Sequence, residues 1–463
     1  MAEIFPFRAF RYAAGRVQLA DVLTQPYDKI TPQMQERYSS LSPYNLVTVE
    51  KGRAHPGDTP QDNIYTRARH ALDTWIAEGI LIHESAPAIY AYSQEYSVPG
   101  SDETLTRRGF IALGRVEDYA AGVVHRHEQT LSGPRADRLE LLRHTRAHTG
   151  QLFMLYSDPA KHIDKLLAQT EKVPAPVEVR DEYSVTHRLW PVTDNNAIEA
   201  FVAAMAGCKL VIADGHHRYE TAIAYRDECR AAKASADASA PHEKVMMTFV
   251  NAESEGLTIL PTHRILVYPE PAASGPRASV PNFSADAFIR KLEAWFEVRR
   301  FPAAASAAAG APDPELVGSA HKPSLAHFVA DTRAQRAIGF YAGGDAFWQL
   351  ALRPQTDLRA LISGLSPAQL GLDVVLLHRL ILEKGLGITQ EAVSKESHIR
   401  YEREAESAIQ AVRAGKAQAC FLLSPVSVHQ VMNMALAGEV LPQKSTDFYP
   451  KLLSGLTIYR LDD

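Results

Sequence analysis

One segment of the sequence combines residue types that bind phosphate and move protons. An apolar run ends at Asp214, and Gly215, His216, His217 and Arg218 follow at once, where the periodicity predicts the start of a helix. A helix N-terminus carries partial positive charge, so two imidazoles and a guanidinium there lower stability unless an anion compensates them. Free backbone N–H groups at a glycine turn and an arginine fork are typical of a phosphate site. The turn from Gly215 to Arg218 is therefore predicted to bind phosphate.

Asp214 admits two interpretations. Its carboxylate is placed to cap the helix by accepting from the N–H of His216 or His217. Alternatively the carboxylate lies beside a bound phosphate, which requires a bridging Mg²⁺ or a proton transfer. In the second interpretation Asp214, His216 and His217 are catalytic and Asp214 is the metal ligand. Glu220, one helical turn farther on, either orients an imidazole or lies on an exposed helix face.

A second polar segment, His-Arg-His-Glu-Gln-Thr, begins at His125. Glu128 is the candidate general base that deprotonates a substrate hydroxyl, and His127, Thr130 and Arg138 are candidates for substrate contact. His125 and His127 share one side if this piece is extended, as two metal ligands would, but the sequence supplies no third ligand nearby. A polar loop whose charges pair with one another explains the segment equally well.

Six further candidates for contact with substrate or nucleotide lie in short motifs. Two belong to Pro-Tyr turns, which either are structural or present a polar group to a site. Two form a His-Arg pair inside an apolar run, where charged groups must find partners or face a cleft. Two belong to a loop that would place a lysine on phosphate, although it lacks the glycines of a P-loop. They are, in that order, Asp28 and Asn45, His263 and Arg264, and Lys444 and Ser445.

The pattern around these motifs predicts an α+β fold, with mixed α/β segments and without the regular βαβ alternation of a Rossmann or barrel protein. A hairpin, several helices and several strands are predicted on each side of a boundary near residue 269. The predicted helices cover residues 63–78, 137–148, 194–205, 373–384, 401–414 and 426–437, and the predicted strands cover residues 87–98, 107–117, 151–156, 209–213, 244–251, 257–268, 337–342, 346–352, 419–423 and 457–461. A helix followed by a strand is predicted within residues 284–301.

Tracts rich in Ala, Ser, Pro and Gly indicate the domain organisation. They lie near residues 231–241, 269–283 and 302–323, and such tracts bury little surface. We expect a motif-bearing α/β domain at residues 1–268, a linker at 269–283 and a smaller C-terminal α/β domain at 284–463 that contains the insertion 302–323.

Composition excludes several classes of protein. The chain has 463 residues, 46% of them hydrophobic, and a net charge of −5, which excludes disordered and fibrous proteins. No apolar run approaches the roughly 18 residues of a membrane span, and the first residues lack the order of a signal peptide. Three cysteines far apart indicate neither a disulfide framework nor a zinc site. We therefore expect a cytoplasmic protein, and the acidic charge argues against nucleic-acid binding.

The segment at residues 213–222 resembles the signature of the uncharacterised family called domain of unknown function 1015. The other matching blocks are at residues 25–28, 42–47, 127–130, 260–264 and 444–451, so the resemblance runs nearly end to end. Asp447 departs from the aromatic residue that the family pattern has at this position.

The Asp-Gly-His-His-Arg turn is also similar to the phosphate-binding turn of the ParB/sulfiredoxin superfamily. This superfamily includes CTP-binding ParB, sulfiredoxin and free-serine kinases. This resemblance implies a nucleotide-binding core in the N-terminal part, in which Gly215, His216, His217 and Arg218 contact the phosphates of ATP, ADP or CTP, with Mg²⁺. The catalytic cysteine of sulfiredoxin has no counterpart, because His216 stands there. Of the patterns in this superfamily, the His-His-Arg turn of the free-serine kinases is the most similar to the turn in this sequence.

Three functional hypotheses follow. The first is a nucleotide-dependent phosphotransferase that acts on a small hydroxylated metabolite such as serine. The second is a ParB-like nucleotide-binding module without catalysis, for which we find no basic helix-turn-helix. The third is a metal-dependent hydrolase that would use a cluster of five histidines, His125, His127, His216, His217 and His263.

Overall fold

The computed structural model describes residues 1–128, 132–232, 237–267, 283–302 and 325–462, with no side-chain description for 132–135. Nearly all of the expected linker and insertion lies outside these ranges, so both stay predictions. The chain divides into two compact units. The first comprises Met1–Thr258, Val428–Val440 and Phe448–Asp463, and the second comprises Ile259–Ser427 and Leu441–Asp447.

The first unit is built on short helices and a set of mostly apolar strands. Its strands before residue 258 are β1 (Ile4–Phe5), β2 (Phe10–Tyr12), β3 (Leu81–His83), β4 (Ile89–Ser97), β5 (Thr104–Arg115), β6 (Val124–His125), β7 (Ala147–His148), β8 (Leu152–Tyr156), β9 (Val177–Arg180), β10 (Thr186–Val192), β11 (Leu210–Asp214) and β12 (Lys244–Asn251). Its helices are α1 (Leu19–Val22), α2 (Pro32–Leu41), α3 (Val47–Glu50), α4 (Ile64–Ala77), α5 (Ser132–Thr145), α6 (His162–Thr170), α7 (Asn195–Met205) and α8 (His216–Ala232).

Nine of these described strands form one mixed sheet. The order is β6-β11-β8-β12-β5-β4-β10-β9, and β1 pairs with β5. The predicted hairpin is the antiparallel pair β4 and β5, whereas β12 runs parallel to β8 and β11 runs parallel to β6. All five residues of β8 are buried, as expected for a strand that is covered on both faces. Phe201 of α7 and Tyr219 of α8 pack with Phe110 and Phe249 of the sheet in one core.

The second unit has its own sheet of six described strands, in the order β15-β17-β16-β19-β14-β18, and every pair in it is antiparallel. With β13 (Thr258–Leu260), which spans the boundary, the strands of this region are β14 (His263–Leu266), β15 (Phe296–Pro302), β16 (Ile338–Tyr341), β17 (Ala346–Leu352), β18 (Ile399–Glu402) and β19 (Ala419–Leu422). The helices are α9 (Ala285–Leu292), α10 (Leu325–Ala334), α11 (Leu358–Leu361), α12 (Pro367–Leu370), α13 (Asp373–Leu376), α14 (Gln390–Ser394) and α15 (Ala405–Arg413).

The chain then returns to the first unit through α16 (Val428–Leu436), β20 (Asp447–Tyr449) and β21 (Tyr459–Arg460). The predicted α+β class, with mixed α/β segments, is confirmed, and the large sheet is the mixed one. Within the ranges that the structure covers, none of the helices combines the length and the apolar character needed to cross a membrane.

The element boundaries differ from expectation at four places. Residues 257–268 hold two strands instead of one, because Pro261 has no N–H to continue a ladder. Residues 401–414 begin as strand β18 before α15, and residues 137–148 end as strand β7 after α5. Residues 373–384 form α13 and then a π-helical segment, Leu377–Gly385, since a period-3.6 pattern does not distinguish the two helix types over so few turns.

Gly109, at the centre of the large sheet, allows a test of the packing between β5 and β12. A methyl group on Gly109 of β5 would lie 2.3 Å from the carbonyl oxygen of Phe249 and 2.9 Å from Val250 Cγ2, so the strand must shift to accept it. We expect Gly109→Ala to lower the free energy of unfolding by about 1–3 kcal/mol in urea denaturation. Gly207→Ala is the matched control, because a methyl group there meets no atom within 4 Å. Equal stability of the two variants would contradict this packing.

Candidate functional site

The turn after β11 has the predicted strand-to-helix form. The register of β11 against β8 shifts between Ile212 and Asp214, which marks a bulge at the end of the strand. Gly215 follows with φ +96°, a conformation that strains residues with a side chain, and α8 begins at His216. A Cβ on Gly215 would also lie 3.0 Å from Arg218 Nη2. The glycine therefore lets the arginine fold back against the turn.

The Asp214 carboxylate forms an ion pair with a lysine from the C-terminal end of the chain. Lys451 Nζ donates to Asp214 Oδ2 at 3.0 Å. Burial raises the pKa of Asp214, but the charges of Lys451, Arg218 and Lys29 lower it by more, so the pKa lies well below its usual range. The carboxylate is consequently charged at neutral pH and available as a hydrogen-bond acceptor.

Two buried histidines lie next to this pair. The rings of His127 and His216 meet edge to face with centroids 4.7 Å apart. His127 Nδ1 lies 2.6 Å from the carbonyl oxygen of Ile212, which assigns the proton to Nδ1, and the His127 N–H donates to His216 Nε2 at 3.4 Å. Burial lowers the pKa of His127 to about 4 and that of His216 well below 6.5. Both imidazoles are therefore neutral at pH 7.

Arg218 presents a donor toward the turn. Its Nη1 donates to the carbonyl oxygen of Gln151, and its Nε is buried without a hydrogen-bond partner in the described part of the chain. A buried guanidinium N–H that lacks an acceptor costs free energy, which an anion at the turn would recover. This orphaned donor fits the phosphate group that the sequence predicts there.

Arg218 also lines a small pocket of about 50 Å³. Its polar wall contains Glu50, whose carboxylate accepts from Thr149 Oγ1 at 2.7 Å, and Arg138, which donates to the Glu50 carbonyl oxygen at 2.9 Å. The Arg138 guanidinium lies 4.3 Å from the centre of the Tyr27 ring. The remaining lining residues are Leu141, Leu142, Ala147, His148, Gly150, Leu152, Thr221 and Val245. The structure thus brings Arg138 and Arg218 to one pocket.

Sequence reasoning missed several of these residues. Lys451, Glu50 and Lys29 were not among the candidates, and Tyr27 was noted only as part of a turn. Lys451 could have been found, because it closes the block at residues 444–451 that carries the resemblance described above. Glu50 stands in no motif, and only its burial next to Arg138 reveals it.

Other predicted site residues lie in different surroundings. Asp28 is exposed. Asn45 is fully buried and holds the chain at the start of α3, since its Oδ1 accepts from the Val47 N–H and its Nδ2 donates to the Asp21 carbonyl oxygen. Glu128 and His217 are half-buried, so their predicted roles stay predictions. Thr130 lies outside the described residues.

Four more candidates belong to the second unit. His263 is buried in β14 and its Nδ1 accepts from the Leu423 N–H at 3.1 Å. Arg264 donates to the carbonyl oxygens of Thr262 and Lys444. The Lys444 side chain is exposed, and Ser445 Oγ donates to the carbonyl oxygen of Pro442. Their roles in nucleotide or substrate binding stay predictions.

A protein-held Mg²⁺ does not fit the surroundings of Asp214. The carboxylate already binds the Lys451 ammonium, and Arg218 and Lys29 add positive charge that repels a divalent cation. Among the residues that the structure describes, no group of three or more His, Cys, Asp or Glu side chains is arranged to hold a metal. We therefore derive no step through a metal at Asp214.

Comparison with known proteins identifies the family. Residues 4–375 match the family described as "Protein of unknown function (DUF1015)". The chain belongs to this family. The DUF1015 match covers the Asp214 turn and both histidines of the pair but ends before Lys451. Among curated proteins nothing matches the chain.

Solved structures give only weak likenesses to this DUF1015 protein. A conserved hypothetical protein from Pyrococcus furiosus has 13% identity and a TM-score of 0.32, covering 74% of this chain and 93% of its own. A structure titled free serine kinase in complex with AMP has 13% identity and a TM-score of 0.31, covering 72% and 89%. Truncated SbnI from Staphylococcus aureus has 10% identity and a TM-score of 0.31, covering 75% and 87%. Likenesses of this strength carry no argument about function.

The buried histidines predict a pH-dependent stability. In the folded state the pKa of His127 is about 4, and in the unfolded state it is about 6.5, so only the unfolded state binds this proton between those values. Stability is therefore fully present above pH 6.5 and falls as the pH drops toward 4. Well inside this window the free energy of unfolding falls by about 1.4 kcal/mol per pH unit for each such histidine.

The measurement is the free energy of urea unfolding between pH 7.5 and pH 5. His127→Gln is expected to flatten the pH dependence relative to the parent protein, whereas His70→Gln, at an exposed position of α4, is expected to leave it unchanged. An unchanged slope in the His127 variant would show that this imidazole is charged in the folded protein.

Proposed function

We propose that this protein is a nucleotide-dependent phosphotransferase that transfers a phosphoryl group to a small hydroxylated metabolite, such as serine. The observation that carries the proposal is the turn at Gly215, where the buried Arg218 Nε lacks a partner within the described chain and the Asp214–Lys451 ion pair lies alongside. Phosphoryl transfer requires mainly positioning and charge neutralisation, and this set of groups supplies both.

The residues divide between two tasks. The turn from Gly215 to Arg218 would hold the phosphates of ATP, ADP or CTP through backbone N–H groups and the arginine fork. Lys451 would neutralise charge on the transferred group. Glu128 or Asp214 would accept the proton of the acceptor hydroxyl, and Glu128 is the stronger candidate because the low pKa of Asp214 makes that carboxylate a weak base. A Mg²⁺ that accompanies the nucleotide would be held by the phosphates themselves.

The acceptor would occupy the pocket beside Arg218. This pocket presents the Arg138 guanidinium and the Glu50 carboxylate within an otherwise partly apolar wall, which suits a small molecule that carries charges of both signs. Placement there would put an acceptor hydroxyl next to the turn and not in bulk water.

A nucleotide-binding module without catalysis remains the second candidate, because the same orphaned donor at the turn would serve it. The metal-dependent hydrolase is not proposed. His127 Nδ1 and His216 Nε2 already bond to protein groups, and in the described part of the chain no three His, Cys, Asp or Glu side chains are grouped to hold a metal.

Nucleotide binding tests the phosphate turn. Titration calorimetry of the purified protein with ATP, ADP and CTP, each with and without Mg²⁺, is expected to show binding of at least one of them. Arg218→Gln is expected to weaken that binding by about tenfold to a hundredfold, the worth of a charged hydrogen bond. Arg143→Gln changes an exposed arginine of α5 and serves as the control. Equal nucleotide affinity of the two variants would contradict phosphate binding at this turn.

Phosphoryl transfer tests the catalytic part. With the nucleotide that binds and a pool of hydroxylated metabolites that includes serine, mass spectrometry is expected to detect a phosphorylated product. Glu128→Gln keeps the side-chain shape and is expected to lower the transfer rate by about 10²–10⁴-fold while nucleotide binding persists. Nucleotide binding without any product would favour the module, and a nucleotide-dependent gel shift would then show whether that module binds DNA.

A further inference from the structure

A buried arginine of the large sheet lies behind the Asp214–Lys451 pair. Arg107 is on β5, directly opposite Gln94 of β4 in the antiparallel register, and both side chains are almost completely buried. Its guanidinium lies 4.6 Å from the centre of the Phe153 ring. A fully buried cation lowers the stability of the fold unless its N–H donors have acceptors. The acceptors of Arg107 therefore show which part of the chain this residue holds in place.

The acceptors are consecutive residues of the C-terminal segment. Arg107 Nη1 donates to the carbonyl oxygen of Tyr449 at 3.3 Å, and Nη2 donates to the carbonyl oxygen of Pro450. Arg107 Nε also donates to Gln94 Oε1 at 3.0 Å, and Gln94 Nε2 donates to the carbonyl oxygen of Lys451 at 2.8 Å. Two side chains of one hairpin therefore bind three successive backbone carbonyls.

The same segment delivers side chains to the site. Phe448 packs against the His127 ring with centroids 6.2 Å apart and against Phe153 at 5.5 Å. Lys451 Nζ reaches Asp214 at the other end of the segment. Because the backbone of residues 449–451 is held at each carbonyl, the Lys451 ammonium is fixed relative to β11 even though no strand pairing holds that residue.

We infer that Arg107, acting with Gln94, is a positioning residue that holds the Lys451 ammonium against the Asp214 carboxylate. The planar fork of an arginine reaches two carbonyls and an amide oxygen at once, which a lysine at position 107 cannot do. Arg107 donates to the backbone of residues 449 and 450 and to Gln94, so it acts on the Lys451 side chain through the segment. The catalytic meaning of this positioning rests on the proposed function, but the positioning itself does not.

The test measures the accessibility of Lys451 without any nucleotide. Trace acetylation with acetic anhydride, followed by peptide mass spectrometry, gives a labelling rate for each lysine of the full chain. In Arg107→Lys, which retains the positive charge, Lys451 is expected to be labelled roughly fivefold faster, the factor that corresponds to a lost hydrogen bond. Exposed lysines such as Lys416 are expected to keep their rates.

Two further variants complete the design. Gln94→Met removes the bond to the Lys451 carbonyl and the amide oxygen that accepts from Arg107 Nε and Nη2, but it leaves the bonds from Arg107 to the Tyr449 and Pro450 carbonyls, so a smaller increase at Lys451 is expected. Arg108→Lys is the matched control, because Arg108 is the next residue of β5, points to the exposed face and pairs with Glu171 at 2.8 Å. Its labelling pattern is expected to equal that of the parent protein.

The results separate positioning from general support of the fold. Faster labelling confined to Lys451 supports the inference, and a lower kcat with unchanged KM in the transfer assay would add to it. Unchanged labelling of Lys451 in the folded variants, an equal rise at all lysines, or failure of both Arg107→Lys and Gln94→Met to fold would overturn it. If the parent protein binds no nucleotide, the proposed function fails while the labelling result still decides the role of Arg107.

Discussion

Asp214 and Lys451 are 237 positions apart in the chain, and their ion pair is the interaction on which the rest of the site depends. An isolated carboxylate in this largely buried place would take up a proton or distort the turn, because burial disfavours its charge. The lysine, with Arg218 and Lys29, keeps it ionised. The ionised carboxylate and its cations then lie together at the start of α8.

The large sheet supplies the rigidity that such a pair requires. The bulge at the end of β11 and the left-handed Gly215 orient Asp214 and the first turn of α8. The β4–β5 hairpin holds the C-terminal segment through hydrogen bonds from Gln94 and Arg107. The neutral His127 ring packs against His216 of α8 and against Phe448 of the C-terminal segment. Each part is ordinary alone, and the site exists because the sheet places the parts within hydrogen-bonding distance.

Local signals explain why much of the fold was predictable. Asn63 caps α4 with a reciprocal bond to Thr66, and two runs rich in β-forming residues around a polar, glycine-containing turn predict the β4–β5 hairpin, because both features depend on residues close in sequence. The errors arose where local rules compete. Residues 377–385 have the apolar spacing of an ordinary helix but form a π-helix, and Tyr401 joins a strand because a partner strand is available to it.

The amino-acid sequence by itself determined the α+β class, the strand-to-helix turn at Gly215 and the grouping of two imidazoles and a guanidinium at that turn, since these follow from periodicity, from glycine conformation and from the types of adjacent residues. Only the tertiary structure decided that Asp214 pairs with Lys451, that Glu50 and Arg138 form a pocket with Arg218, and that Asn45 donates to the Asp21 carbonyl oxygen. These contacts join residues tens to hundreds of positions apart. No local pattern encodes them, because the free energy that selects them comes from burial and pairing across the folded sheet.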